Sequence, residues 1–158
     1  MSEFCAMDLF EDFTFDDIRT ARPPDEKGVY AIRIRSRGTD PEAILAALPP
    51  HIERLNREVA GDYRADRIGR IRKIGARCPI IYIGSAGTGK TSRHTLAGRY
   101  ADLTRRHTAQ YPVRALLYFG WELEFGWKVM ENPKAAEAEL KREYRKRQKG
   151  KLPALVAR

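Results

Sequence analysis

The chain has 158 residues, of which 42% are hydrophobic and 32% are charged, proportions that are typical of a soluble globular protein. A chain of this length is expected to form one domain with a modest core. No apolar run is long enough to span a membrane, and the acidic amino terminus lacks the pattern of a signal peptide, so no membrane partner is expected. Only Cys5 and Cys78 are present, which argues against a disulfide framework and favours a reducing compartment, the cytoplasm.

The net charge of +9 is unevenly distributed along the chain. Residues 1–18 contain six Asp or Glu and no Lys or Arg, so the rest of the chain carries +15. Such a basic body attracts polyanions, because each neutralised phosphate releases condensed counterions. Charge alone does not distinguish a nucleic-acid partner from an ordinary solvated surface.

The amino-terminal region predicts an extension followed by a strand. Residues 1–26 combine acids with phenylalanines, and we interpret them as an extension that packs on the body as a short helix or extended arm. The alternative is that its acidic residues compete with a polyanion for the basic surface of the body. After a turn at Pro23-Pro24, the chain alternates from Gly28 to Arg35 between apolar residues and residues that include two arginines. This alternation predicts a half-buried strand.

Residues 36–79 form a long insertion before the next strand, and this insertion is expected to contain its own helices. Asp40-Pro41 is typical of a helix start, and Pro49-Pro50 ends that helix. The end of the insertion is basic, with arginines interleaved with isoleucines, and is either a DNA contact or merely a solvated face. Its candidate DNA-binding residues are Arg64, Arg67, Arg70 and Lys73.

The next segments predict a second strand, a helix and further strand material. Residues 80–84 are apolar and predict the second strand. The helix that follows runs from about Ser92 to Arg106. Residues 114–120 and 121–130 are then interpreted as strands joined by a turn or bulge at Gly120.

The predicted helix at 92–106 carries an arginine on its apolar stripe. Arg99 follows Leu96 by three residues and precedes Leu103 by four, so the three share one face. An arginine in such a place needs a carboxylate or phosphate for its planar donors, unless its side chain extends to solvent. Weaker candidates for contacts with DNA are Arg93, Arg105 and Arg106. His94 and His107 lack metal-ligand spacing and are interpreted as surface histidines.

The last predicted helix carries a carboxylate on its apolar face. Asn132-Pro133, a cap followed by proline, begins this helix. Glu137 lies three residues before Leu140 and seven before Tyr144, on the face that should pack inward. Glutamates are almost never fully buried unless they are paired or bound to a metal. Glu139 is the alternative if the helix register is shifted.

Residues 84–91, Gly-Ser-Ala-Gly-Thr-Gly-Lys-Thr, match the phosphate-loop pattern and follow an apolar strand. In that interpretation Lys90 would reach the terminal phosphates of a nucleotide and Thr91 would hold magnesium. Such domains need several further parallel strands after the loop. Only 67 residues follow Thr91, and the best later apolar run lacks an aspartate for magnesium. A P-loop nucleotide-binding module is therefore the less favoured alternative.

Two tyrosine–glycine pairs on the predicted strands carry the most specific signal. They are Gly28-Val29-Tyr30 and Tyr82-Ile83-Gly84, and each places a hydroxyl beside a glycine in an apolar run. With Arg99 and Glu137 they resemble the GIY-YIG nuclease family. The closing block also resembles that family, because Glu137 precedes a leucine by three residues and a Gly-x-Leu-Pro turn at 150–153 follows the helix.

The resemblance covers about residues 27–155, without the insertion, and implies an α+β fold with a small central sheet of about three strands flanked by helices. The residues from 27 to 158 would form the nuclease domain. The implied activity is a metal-dependent DNA endonuclease, a phosphodiester hydrolase that uses Mg²⁺ or Mn²⁺. It implies that Tyr30 and Tyr82 orient or deprotonate the attacking water, that Arg99 binds phosphate, and that Glu137 is the metal ligand. Cutting both strands of a duplex would favour a homodimer or sequential nicking.

The chain departs from the family pattern near its end. The family carries an asparagine about three residues after the proline of the closing turn, where this chain has Val156. Valine can neither donate nor accept a side-chain hydrogen bond. The sequence therefore leaves open a catalytically degenerate member that binds DNA without cutting it.

Overall fold

The computed structural model describes residues 7–47, 68–75, 78–87, 94–105 and 110–156. The fold is α+β, as expected, and its sheet has four strands in the order β1-β4-β2-β3, each antiparallel to its neighbours. The sheet has one strand more than the sequence predicted, because the acidic extension contributes β1. The strands are β1 (Thr14–Asp17), β2 (Gly28–Ser36), β3 (Ile80–Ala86) and β4 (Glu122–Val129).

Four α-helices and two short 3-10 helices accompany the sheet in the described residues. The α-helices are α1 (Pro41–Ala47), α2 (Leu96–Arg105), α3 (Gln110–Tyr118) and α4 (Pro133–Arg147). The 3-10 helices are Met7–Phe10 and Arg70–Lys73. Helices α1 and α4 both begin with the proline that the sequence indicated, because the fixed φ of proline suits the first helical position.

The insertion predicted at 36–79 is described only in part. Its described parts are the end of β2, helix α1, the 3-10 helix at Arg70–Lys73 and the residues that adjoin them. The side chains of Arg72 and Glu42 connect the two helices through an ion pair of 2.9 Å. Residues 48–67, which include the predicted DNA contacts Arg64 and Arg67, lie outside the described residues.

The prediction of a strand at 114–120 is wrong, since most of this segment belongs to helix α3. Val113, Leu116 and Leu117 follow helical spacing, and the first two are almost fully buried. A short apolar run of this kind does not distinguish a strand from a buried helix. The helix ends at Tyr118, and the turn that follows contains Gly120, whose φ of +87° is accessible to glycine. The strand material predicted at 121–130 corresponds to β4.

Both faces of the sheet are covered. One face carries Tyr30, Ile32 and Phe125 and packs against a core to which α1, α2 and α3 contribute. The opposite face carries Ala31 and Ile83 and packs against Tyr144 and Leu140 of α4 and against Phe10. Helix α4 therefore lies on the opposite side of the sheet from α2 and α3.

The acidic extension is part of the fold. Strand β1 pairs with β4, where the ring of Phe15 lies on Gly126 so closely that a Cβ at that position would overlap it. Asp12 pairs with Lys128, and Asp8 pairs with Arg147 on α4. The pKa values of both aspartates are lowered, chiefly by these hydrogen bonds. The packing of its phenylalanines agrees with the interpretation as an arm that packs on the body.

The outer edge of β3 is covered by the residues that follow α4. The backbone N–H of Leu155 donates to the carbonyl of Ile81 at 2.9 Å, and Ala154, Leu155 and Val156 are all buried. Covering an edge strand prevents it from pairing with another chain. The closing Gly-x-Leu-Pro turn thus brings the end of the chain against the second tyrosine strand.

Cys78 lies just before β3 and beneath α4. It is disulfide-bonded, which the expectation of a reducing compartment did not anticipate. Its sulfur also lies 3.0 Å from the hydroxyl of Tyr144, and burial raises the pKa of Tyr144 to about 12. No helix in the described part of the chain is long and apolar enough to cross a membrane.

Candidate functional site

The two tyrosines of the sequence motifs lie on the same face of adjacent strands. Tyr30 on β2 is opposite Gly84 on β3, and Tyr82 is opposite Ile32, so the tyrosines occupy diagonal positions. Their ring centroids are 5.9 Å apart, and the ring planes differ by only 22°. Tyr30 also stacks on Phe125 of β4, at 5.3 Å. The Tyr30 ring is therefore held between the second tyrosine and the core.

Gly84 gives the Tyr30 side chain its place on the sheet. A Cβ at Gly84 would lie 2.5 Å from Cζ and 2.6 Å from the hydroxyl oxygen of Tyr30, well inside an ordinary carbon contact of about 3.5 Å. The glycine of the second motif is thus required by the tyrosine of the first. This close approach is the kind of reason that places a glycine within a strand.

Gly28, the glycine of the first motif, has a different role. A Cβ there would overlap the backbone of Lys128 and lie 2.9 Å from Cδ1 of Leu96. Leu96 is the first residue of α2, and its N–H donates to the carbonyl of Glu26 at 2.8 Å. The absence of a side chain at Gly28 therefore lets the start of α2 approach the sheet, where it brings Arg99 near the tyrosines.

Arg99 lies in the first turn of α2, and its positive charge acts on the Tyr30 hydroxyl. Its Nε atom is buried and has no hydrogen-bond partner among the described residues. A buried donor without a partner costs about 1–3 kcal/mol. Since a guanidinium binds carboxylates and phosphates through paired donors, an anion that accepts from Arg99 would remove this cost.

Glu137 lies in the second turn of α4, with both carboxylate oxygens hydrogen-bonded. The hydroxyl of Ser85 on β3 donates to Oε1, and Nζ of Lys141 donates to Oε2 at 2.5 Å. The Glu137 side chain is only 22% exposed. Glu139, the alternative carboxylate, is 52% exposed and pairs with Arg142 on the surface. The helix register therefore directs Glu137, and not Glu139, toward the sheet.

The hydroxyl of Tyr30 is the group on which the charges of the other candidate residues act. Tyr30 is 4% exposed, and burial raises its pKa well above the usual value for tyrosine. The nearby Tyr82 and Glu137 also raise that pKa, while the positive charge of Arg99 lowers it. All three of the other predicted site residues thus act electrostatically on Tyr30, Glu137 from the opposite side of the sheet. At neutral pH this hydroxyl keeps its proton and is a hydrogen-bond donor.

The donor set around Glu137 is compatible with one hard cation. The described residues contain no group of three or more His, Cys, Asp or Glu that could enclose a metal ion. Mg²⁺ commonly binds through one or two carboxylates and completes its shell with water and substrate phosphates. The single, partly exposed carboxylate of Glu137 fits that pattern of binding, in which a phosphate supplies the remaining ligands.

The other predicted residues lie apart from this cluster or outside the described chain. His94 is half exposed, 3.9 Å from Asp102. Arg70 is half-buried and Lys73 is exposed on their 3-10 helix. Arg105 ends α2. The candidates whose placement lies outside the described residues are Arg64, Arg67, Arg93, Arg106, His107, Lys90 and Thr91.

Sequence reasoning missed two residues that contact the carboxylate. Lys141 is four residues after Glu137, a spacing that brings side chains together on a helix. Ser85 directly follows the Tyr82-Ile83-Gly84 motif, on the sheet face opposite to Tyr82. The lysine was readable from the helix spacing, whereas the serine contact depends on how α4 packs on β3.

Searches of protein-family models, of curated proteins and of solved structures found no match to this chain. The case for a function therefore rests on the motif resemblance and on the arrangement of the side chains.

Proposed function

We propose that this protein is a metal-dependent DNA endonuclease that hydrolyses phosphodiester bonds, with DNA as its partner. The observation that supports the proposal is the stacked pair of Tyr30 and Tyr82 on the sheet face that α2 covers, where Arg99 has a buried donor with no partner among the described residues. Glu137 approaches β3 from the other face, and the charges of Arg99 and Glu137 both act on the pKa of Tyr30.

Each residue has a role that its surroundings support. Arg99 offers a buried donor to the scissile phosphate and would stabilise the charge that develops on it. The protonated hydroxyl of Tyr30 can donate to a phosphate oxygen or to the attacking water. Its raised pKa favours orienting the water over deprotonating it. Tyr82, which is only partly buried, lies on the more accessible side of the pair.

Glu137 would hold Mg²⁺ or Mn²⁺ at the edge of the cluster. When bound, the metal would polarise the phosphate and stabilise the leaving oxygen. Ser85 would orient the carboxylate, and Lys141 would neutralise it when no cation is present. The ammonium group of Lys141 lies at the end of a flexible four-carbon side chain, so it can move away from Oε2 of Glu137 while the helix stays in place.

Two alternatives remain distinct from the proposal. A degenerate member would bind DNA without cutting it, and Val156 in place of the family asparagine is the feature that suggests this. A nucleotide-binding module is disfavoured by the topology, since the described sheet is antiparallel throughout, whereas phosphate-loop domains use parallel strands.

The decisive test is cleavage of supercoiled plasmid with Mg²⁺ or with a chelator. We expect nicked and linear products only with metal. Glu137→Gln should abolish them while the protein still retards DNA on a gel, because the substitution removes the charge but keeps the shape. Glu139→Gln is the matched control on the same helix and should cut like the parent. Cleavage by Glu137→Gln, or retardation without cleavage by the parent, would contradict the assignment.

A further inference from the structure

The outward side of α4 and the turn after it form the most basic part of the described chain. From Lys134 to Lys151 there are eight Lys or Arg and three Glu, a net charge of +5 out of +9 for the whole chain. The side chains point outward, as shown by the 61% exposure of Arg142 and the 64% exposure of Lys146. This concentration of charge was not recognised among the predicted DNA contacts.

These side chains line a shallow groove of about 550 Å³, which we call the α4 groove. Four of its six lining residues are basic and none is acidic. The lining residues are Ala138, Lys141, Arg142, Arg145, Lys146 and Gly150.

The α4 groove begins beside the candidate site. Glu137, Lys141 and Arg145 follow one another at four-residue intervals, so they lie in one row along the helix, about 6 Å apart. A linear anion that occupies the groove would therefore run toward the Glu137 carboxylate. The row connects a cation-binding candidate to a set of phosphate-binding candidates on one rigid element.

The positive charge of the groove is available to a ligand. Lys141, Arg142 and Lys146 each pair with a glutamate one turn earlier on α4. Such pairs on a helix surface stabilise it by only about 0.2–0.5 kcal/mol, so phosphates can compete for the cations. Arg145 has no ion pair among the described residues and is exposed.

We propose that the α4 groove binds the phosphate backbone of duplex DNA and leads one strand to Glu137; this inference rests on the proposed nuclease function. No aromatic side chain lines the groove, so it lacks the stacking surfaces that recognise single strands. A membrane surface is disfavoured, because the apolar residues Leu140 and Tyr144 of α4 pack against the sheet and cannot insert into lipid. Lysine and arginine side chains that contact phosphates but no base edges give affinity for DNA with little sequence preference.

The test is the salt dependence of binding to a fluorescently labelled DNA duplex, measured by anisotropy with chelator present so that no cleavage occurs. The double variant Arg145→Ala/Lys146→Ala removes two groove cations, keeps good helix formers and leaves Lys141 on Glu137. Each lost phosphate contact lowers the slope of log K against log salt by about 0.9, so we expect a slope flatter by about 1.8. The control is Arg19→Ala/Arg114→Ala, which removes two exposed cations at and near α3, on the other side of the sheet, and should keep the parent slope.

The outcomes separate the two proposals. If the parent shows no salt-dependent binding to the duplex, the proposed function fails. If the parent binds but the Arg145/Lys146 variant keeps the parent slope, or loses no more than the control, only the role of the α4 groove is overturned. Tighter binding of the parent to a single strand of equal length would likewise overturn it. So would a variant that binds anionic lipid vesicles more weakly than the parent but binds the duplex as well as the parent does. Matching thermal unfolding curves of the two variants will show that any difference is not one of folding.

Discussion

Gly84→Ala tests whether the position of the Tyr30 hydroxyl matters for catalysis. The new methyl group would lie 2.5 Å from Cζ of Tyr30 and 2.6 Å from its hydroxyl oxygen. Restoring an ordinary contact of about 3.5 Å requires a retreat of about 1 Å. The ring cannot simply swing into solvent, since it is 4% exposed and stacks on both Tyr82 and Phe125.

The substitution has two measurable consequences. Overpacking costs about 1–3 kcal/mol, partly offset by about 0.5–1 kcal/mol because alanine is less flexible than glycine when unfolded. At about 2–4 °C per kcal/mol for a chain of this size, we expect Tm to fall by several degrees at most. Displacing a catalytic group by about 1 Å costs about 100-fold in rate, so plasmid cleavage should fall by about that factor at a temperature where the variant is fully folded.

Gly126→Ala is the matched control. Its methyl group would meet the ring of Phe15 in the same way, on β4 and away from the tyrosine pair. It should lower Tm by a similar amount and leave the cleavage rate within a few fold of the parent. If Gly84→Ala cuts as fast as Gly126→Ala, the hydroxyl of Tyr30 has no role in positioning the substrate and the mechanism is refuted.

Two further predictions concern alkaline stability and nucleotides. Because the pKa of Tyr144 is raised to about 12 from 10.0, the folded state holds this proton more tightly, and the resulting stability is complete below pH 10 and is lost as pH rises toward 12. In urea unfolding between pH 10 and 12, the free energy of unfolding of the parent should fall by up to about 2.7 kcal/mol more than that of Tyr144→Phe. Equal losses would contradict the burial of the Tyr144 hydroxyl. Calorimetry should show no saturable binding of ATP or GTP, and a micromolar affinity that Lys90→Ala removes would restore the phosphate-loop interpretation.

The strands and helices that bear the site were readable from local patterns. Strand β2 follows the alternation from Gly28, and α4 begins at the proline after Asn132. Helix α3 was not readable, because the apolar run that contains Leu116 and Leu117 fits either structure. The contribution of β1 to the sheet was also missed, since pairing with β4 depends on the register of distant residues.

The contacts of the candidate site residues could not be predicted without tertiary structure. The sequence places Tyr30 and Tyr82 on strands, but their diagonal relation is set by a β2–β3 register across a long insertion. The contact between Ser85 and Glu137 joins residues 52 positions apart. Only the Lys141 contact, within one helix, follows from spacing alone. The motif resemblance therefore selected the candidate residues, while packing determined which other side chains contact them.

Val156 bears on whether the candidate site is complete without the asparagine of the GIY-YIG pattern that the chain resembles. Its side chain is 9% exposed, and its backbone N–H donates to Pro153 at 3.0 Å in the closing turn. A buried amide here would need partners for its donors and acceptor, whereas valine needs none. We infer that support for the carboxylate comes instead from Ser85 on the sheet and Lys141 on α4, which engage both oxygens of Glu137. The missing asparagine is therefore not by itself a reason to prefer a protein that binds DNA without cutting it.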